Sequence, residues 1–222
     1  MSRVAVIVGA GPGVGVSVAR ALGSKGFDLA LIARNEHRLS QLGEALHAEG
    51  ITTGWAAADA SEPDAIAAAV ERFGRHTGRI DVVHHNAVAF RNAPASRLSP
   101  RDLLDDLMVG TASLLASVQA ALPFMGERGL VLATGSGAAN RPMTGAASLG
   151  VQKAALRNLV TALDLDLRPH GIRAASVTVN GTIAPGTAFD PDLVAAEFAK
   201  LVDAFDAGGA EWRTTVAFNG DG

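Results

Sequence analysis

The chain contains neither cysteine nor tyrosine. Without thiols there are no disulfides, no thiolate metal ligands and no cysteine nucleophile. Without phenols, no mechanism that draws its proton from a tyrosine is open to it. Aromatic residues make up only 5% of the 222 positions, and the formal net charge is only -3, with the basic residues scattered. No basic stripe of the kind that tracks a nucleic acid is present. No apolar run approaches the roughly 18 residues of a membrane-crossing helix, and the run at Val4 to Val8 is too short for a secretory signal. The expectation is a soluble, cytoplasmic protein with no nucleic-acid partner, no membrane partner and no metal site.

What the sequence has in quantity is aliphatic material: 48% of the residues are hydrophobic, enough to bury a sizeable core in one globule. Val4 to Val8 and Leu29 to Ala33 are continuous apolar runs, which suit strands buried on both faces of a parallel sheet. Between them Val14, Val18 and Leu22 fall at helical spacing. The alternation continues with a helix over Asn35 to Glu49, a strand near Thr53 to Ala58, a helix carrying Ile66, Val70 and Phe73, and a strand at Ile80 to His85. A long helix from Pro100 to Met125 is read from Leu104, Met108, Thr111, Leu115, Val118 and Leu122, with Ser99-Pro100 as its start. Leu130 to Thr134 is a fifth strand, Leu149 to Leu167 a second long helix, and Arg173 to Val179 a sixth strand. Asp190-Pro191 opens a helix to about Phe205, and Thr214 to Phe218 is a final strand. Ala207 to Ala210 is the nearest approach to a linker. This rhythm predicts one α/β domain over residues 1–222: a doubly wound, Rossmann-type parallel sheet of about seven strands, ordered 3-2-1-4-5-6-7, with helices on both faces.

Chemistry is written most densely after the first strand, in Gly9-Ala10-Gly11-Pro12-Gly13-Val14-Gly15. Glycine permits the tight turn, the close approach of backbone to a pyrophosphate and the close packing of helix on strand, with the phosphates at the helix N-terminus. The end of the second strand decides the ribose: an acid there would bond a 2′-hydroxyl, whereas an arginine can hold a 2′-phosphate. Here Ile32-Ala33-Arg34-Asn35 has no acid, so Arg34 points to NADP(H), with His37 and Arg38 as further charge nearby.

These segments resemble the short-chain dehydrogenase/reductase family over nearly the whole chain. Val8 to Gly15 looks like its TGxxxGxG loop, which implies cofactor contacts at Gly9, Gly13, Val14 and Gly15. Ala58-Asp59-Ala60 resembles the segment that meets the adenine, giving Asp59 and Ala60. His85-Asn86-Ala87-Val88 resembles the NNAG motif, matching at Asn86 and Ala87. Pro169 to Arg173 looks like the entry to the sixth strand, and Asn180-Gly181-Thr182-Ile183 stands where a loop covers the nicotinamide, adding Gly181 and Ile183. The segment at about 180–206 looks like the substrate lid, and the apolar Phe189, Leu193 and Phe198 within it hint at an apolar small-molecule substrate.

The family's tetrad of Asn, Ser, Tyr and Lys is half present. Ser136 and Lys153 occupy the serine and lysine positions and are the implied catalytic pair; Lys153 also stands where the family binds the nicotinamide ribose. Leu149 stands where the tyrosine of YxxxK is expected, and Gly110 where the asparagine is. His84, His85, Lys153 itself, and the crevice residues Arg91, Asn140 and Arg141 are the remaining polar candidates. Three functions stay open: an NADP(H)-dependent oxidoreductase with a nonstandard proton donor, a redox-neutral enzyme such as a dehydratase, isomerase or cyclase, and a non-catalytic NADP(H)-binding subunit or sensor. By resemblance the two long helices form the interface of a homodimer or homotetramer.

Overall fold

The continuous apolar runs become the interior strands of a single parallel sheet, in the computed structural model that describes residues 2–209 and 211–220. Positions 1, 210, 221 and 222 of the span read as one domain, including Ala210 of the linker-like stretch, lie outside the described residues. In chain order the strands are β1 (Arg3–Val8), β2 (Phe27–Ala33), β3 (Thr53–Ala57), β4 (Val82–His85), β5 (Gly129–Ser136), β6 (Ile172–Val179) and β7 (Thr215–Phe218). They lie in the order β3-β2-β1-β4-β5-β6-β7, as the alternation predicts. The central strands bury both faces because helices cover both: Ala5, Ile7, Leu29 and Leu31 join one core, Val6, Val8, Ala30 and Ile32 the other.

On the first face sit α1 (Val14–Ser24), α2 (Glu36–Ala48) and α7 (Pro191–Asp206); on the second sit α3 (Pro63–Thr77), α5 (Ser113–Met125) and α6 (Ala147–Leu167). Several starts are capped as the sequence suggests. The Asn35 side chain accepts from the Arg38 N–H, Ser99 from Asp102 before Pro100, and Asp190 from Asp192 before Pro191. Because α7 buries Val194, Ala195, Phe198, Leu201 and Val202 in the first core, it is a structural layer of the fold. Of the expected lid, only 180–190 is a largely exposed connection.

The long helix departs from its expected form. It runs over Pro100–Met125, but α4 (Pro100–Leu107) passes into a π turn, Met108–Ala112, before α5 begins. The extra residue of a π turn shifts the helical phase. The stripe read from Leu104 to Leu122 therefore does not face the core throughout: Leu104, Met108 and Leu115 are exposed, while Asp106, Gly110, Ser113, Leu114, Ser117, Val118 and Ala121 are buried. By length and composition this helix is apolar enough to cross a membrane, its richest window averaging 1.5 in hydropathy. The apolar character is not continuous in the sequence, because Gly110, Thr111, Ser113, Ser117 and Gln119 interrupt it. In the fold its buried face packs against α3 and β4.

Candidate cofactor groove and active site

Strand order reverses between β1 and β4, so the loops that leave their carboxyl ends diverge and open a crevice. The glycine loop lies on one side of it. Gly9 has a φ of 87°, and a Cβ there would fall 2.5 Å from the Ala87 backbone nitrogen, so only glycine lets the β1 and β4 loops touch. Asn86 fastens that contact, its Nδ2 donating to the Gly9 carbonyl at 3.0 Å. Gly15 lies against the same carbonyl, which a Cβ would approach to 2.5 Å. At the other end of the loop Gly13, with a φ of 92°, is the N-cap of α1, offers no side-chain cap and has open space where a side chain would stand. The N–H groups of Gly13, Val14 and Gly15 at the start of α1 thus receive no side-chain cap among the described residues and are open to an anion, while the Val14 side chain turns into the core.

A groove of about 660 Å³ runs from this loop over the ends of β2 and β3. Its walls include Gly9, Arg34, Arg38, Asp59, Ala60, Asn86 and Ala87, with Ile32, Leu42, Ile66 and Val109 as apolar surface on which a flat base could lie. Arg34 and Arg38 are exposed, and among the described residues neither meets a carboxylate. Arg20, which sequence reasoning missed, also lines the groove, but its guanidinium is held by Glu49 at 2.9 Å. Asp59 uses one oxygen to accept from the Ser61 N–H at 2.9 Å.

The structure brings six of the expected cofactor residues into one groove: Gly9, Arg34, Asp59, Ala60, Asn86 and Ala87. Gly13, Val14 and Gly15 stand at the helix start beside it. Gly181 and Ile183 lie on the exposed segment after β6, beyond the walls of this groove.

Ser136 ends β5 at the crevice, half-buried, and its Oγ accepts from the Ala138 N–H at 3.2 Å, which leaves the hydroxyl proton free to donate. Lys153, on α6, is buried, with Nζ donating to the Thr134 carbonyl at 2.7 Å; burial pulls its pKa down to about 8. Leu149, one turn earlier, is buried against Ala138 and Ala146, so the position of the expected phenol is filled with hydrocarbon.

The histidines do not reach the crevice. Both are fully buried, on opposite faces of β4: His84 packs edge-on against Phe198 at 4.6 Å and shares a hydrogen bond with the Thr134 hydroxyl, whereas His85 meets the Ser113 hydroxyl at 2.7 Å. Ser113 donates its own proton to the Val109 carbonyl, so His85 Nε2 is the donor of that pair. Burial, with the Lys153 charge adding to it, lowers both histidines to about 3. They are neutral packing residues. Arg91 is equally committed, bidentate to the buried Asp106 and paired with Asp102; Asn140 accepts from Arg157; Arg141 is exposed.

The residues expected to form an apolar substrate wall turn out differently. Phe198 is core, and Phe189 stacks edge-on with Phe218 at 5.7 Å; only Leu193 is exposed. Exposed apolar side chains do occur on the loops after β4, β5 and β6, at Val88, Phe90, Met143 and Ile183.

Comparison with known proteins bears on the fold and the family. The sequence pattern described as short chain dehydrogenase matches residues 3–193. The chain is 30% identical over 185 residues to gluconate 5-dehydrogenase of Gluconobacter oxydans, covering 82% of this chain and 70% of that one. It is 29% identical over 182 residues to 2,3-dihydro-2,3-dihydroxybenzoate dehydrogenase of Bacillus subtilis, covering 81% and 70%. A metagenomic short-chain oxidoreductase solved in complex with NADP superposes with a TM-score of 0.86 at 28% identity, over 97% of this chain and 96% of that chain.

Proposed function

Because the chain belongs to the short-chain dehydrogenase family, we propose that it is an NADP(H)-dependent oxidoreductase that interconverts a small apolar carbonyl compound and its alcohol without a tyrosine. The observation that carries this reading is the pair of exposed guanidiniums, Arg34 and Arg38, which meet no carboxylate among the described residues and stand at the end of β2, where no acid is placed to bond a ribose 2′-hydroxyl. The NADP complex of the metagenomic relative supports it.

The uncapped start of α1 would hold the pyrophosphate, Arg34 and Arg38 the 2′-phosphate, and Asp59, Ala60 and the apolar walls the adenosine. The reduced nicotinamide, when bound, supplies the hydride. The chain itself must bind the carbonyl oxygen and deliver one proton to it. Ser136 has its hydroxyl proton free for that oxygen. Lys153 gives up a proton far more readily than an exposed lysine, since its ammonium is buried with a single carbonyl partner. Gly181, Ile183 and the rest of the 180–190 loop would close over the pair. The two curated relatives are named for unlike substrates; this chain's own surface around the crevice is apolar, with Val88, Phe90, Met143 and Ile183 exposed on the loops and Leu193 in the first turn of α7. We take the enzyme to be cytoplasmic.

Leu149 favours a second reading, a redox-neutral enzyme or a non-catalytic NADP(H)-binding subunit, because leucine can neither donate nor accept a proton. The two readings separate in one experiment: titrate the protein with NADPH and NADH, then follow nicotinamide absorbance with a panel of aliphatic and aromatic ketones and alcohols. NADPH-selective binding with turnover rising with substrate apolarity is the expected result. Binding without hydride transfer to any of the panel moves the assignment to the second reading, and no binding of either nucleotide overturns the oxidoreductase and leaves a redox-neutral or non-catalytic role.

A further inference from the structure

Gln152 precedes Lys153 on α6 and has no place in the chemistry above. Its side chain is fully buried, wedged between α6, the π turn and the segment that leaves β4. Nε2 donates to the Ala89 carbonyl at 2.8 Å, and Oε1 accepts from the Ala89 N–H at 3.3 Å. Both polar groups of one residue are therefore held by one carboxamide, as a neighbouring strand would hold them. The π turn closes on the same residue, for the Thr111 hydroxyl donates to the Gln152 main-chain carbonyl at 3.1 Å.

Room for this amide comes from Gly110. A Cβ built there would lie well inside contact distance of Gln152 Oε1 and 2.9 Å from its Cδ. The carboxamide of Gln152 thus occupies the volume that a side chain at 110 would take. By the resemblance drawn from the sequence, that side chain is an asparagine. The missing carboxamide has a substitute, delivered from the facing helix.

We propose that Gln152 is a positioning residue: reaching into the space left by Gly110, it fixes the Ala89 peptide and through it the Asn86–Val88 wall of the cofactor groove, in place of the asparagine absent at 110. Ala89 follows directly on Val88, and Asn86 is tied to the Gly9 carbonyl, so a displaced Ala89 displaces the groove's contact with the glycine loop. Buried amide groups hold such geometry well because leaving either partner without a hydrogen bond is costly.

The inference rests on the cofactor reading for its affinity readout but not for its geometric one. Gln152→Met keeps the volume and removes the amide; NADPH affinity is expected to fall about tenfold, and the melting temperature to fall by a few degrees as the Ala89 peptide loses its partner. Gly110→Asn alone, which crowds Gln152, is expected to weaken NADPH similarly. The double variant Gly110→Asn with Gln152→Ala, which returns one carboxamide from the other helix, is expected to bind more tightly than either Gly110→Asn or Gln152→Ala alone. Wild-type NADPH affinity in Gln152→Met, or additive losses in the double variant, would overturn the proposal. Should the wild type bind no nucleotide, the cofactor reading fails, and amide hydrogen exchange at Ala89 decides this one. Faster exchange in Gln152→Met supports the clamp, and unchanged exchange overturns it.

Discussion

The two sides of the crevice are built on opposite rules. Over β1, β2 and β3 the polar groups are left open: the first turn of α1 has no side-chain cap, Arg34 and Arg38 meet no carboxylate among the described residues, and the walls between are apolar and accessible. Over β4, β5 and β6 most are engaged within the chain, although the Ser136 hydroxyl proton stays free and Nδ1 of each histidine has no partner among the described residues. Lys153 is bound by a carbonyl, His84 and His85 by hydroxyls, Arg91 by two aspartates, and the place of the phenol is filled by Leu149. An open cation in a groove contributes to binding and little to stability, whereas a buried group matched from within contributes to stability and is costly to disturb. Substitutions on the two sides should therefore have different readouts, and four experiments press on that division.

The largest effect is expected from acid. His84 and His85 titrate near 3 in the folded protein against an ordinary 6.5. Between those values the unfolded chain binds protons that the folded chain does not, so stability is full above about pH 6.5 and declines as the pH falls towards 3. At about 1.4 kcal/mol per pH unit per group, the loss by pH 4 is on the order of 3 kcal/mol for each histidine. Urea unfolding between pH 7 and 4 measures it; His85→Asn should cut the slope by about half, and an unchanged slope would mean that the burial of His85 does not govern acid stability. Lys153 acts in the alkaline range with the same sense: stability rises from about pH 8 towards 10.5 as the unfolded chain alone holds the proton.

The next effect tests the closed side for latent chemistry. Leu149→Tyr restores a phenol one turn before Lys153, and if Ser136 and Lys153 are placed to use it, carbonyl reduction should rise by about 10²–10⁴-fold. No gain with NADPH bound would mean that the pocket has diverged beyond the single side chain.

On the open side Arg34→Ala should weaken NADPH by roughly ten- to a hundredfold, as expected for a lost charge-assisted contact, and leave NADH nearly unchanged and the melting temperature within a degree or two. Equal losses for both nucleotides would remove Arg34 from the 2′-phosphate site. The smallest effect concerns the outer surface. Leu104 and Leu115 on the long helix, with Val151 and Leu165 on α6, are exposed apolar side chains suited to a second copy of the chain. Wild-type protein should sediment as a dimer or tetramer at micromolar concentration, and Leu104→Glu with Leu115→Glu should shift it to the monomer. A wild-type monomer at that concentration would refute the expected assembly.

Much of this was legible in the sequence because its signals are local. Short apolar runs between glycines and caps locate the strands, their alternation with helices gives the doubly wound order, and the loop at Gly9 to Gly15 carries its own reason in backbone geometry. What was hidden depends on residues far apart in the chain. The face of the long helix could not be read from spacing alone, since one added residue in the π turn changes which side chains point inward. His84 and His85 look like crevice residues because they end a strand, and only the serine and threonine of neighbouring elements show them to be packed and neutral. Gln152 gives no signal in its own vicinity; Gly110, some forty residues earlier, is its counterpart, and the two positions make sense only as a pair.

The π turn also limits which changes in chain length the fold can absorb. Each helical residue turns the chain by about 100°. A π turn holds one residue more than an α-helical turn of nearly the same sweep, so deleting one residue within Met108–Ala112 would restore regular α-helix and leave Leu114 and Val118 facing the sheet. A residue deleted within Ser113–Met125 has no such slack: everything after it would turn by about 100° and present other side chains to the core. The long helix can thus lose a residue at its irregular turn but not beyond it, while lengthening an exposed loop such as 180–190 would leave the core as it is.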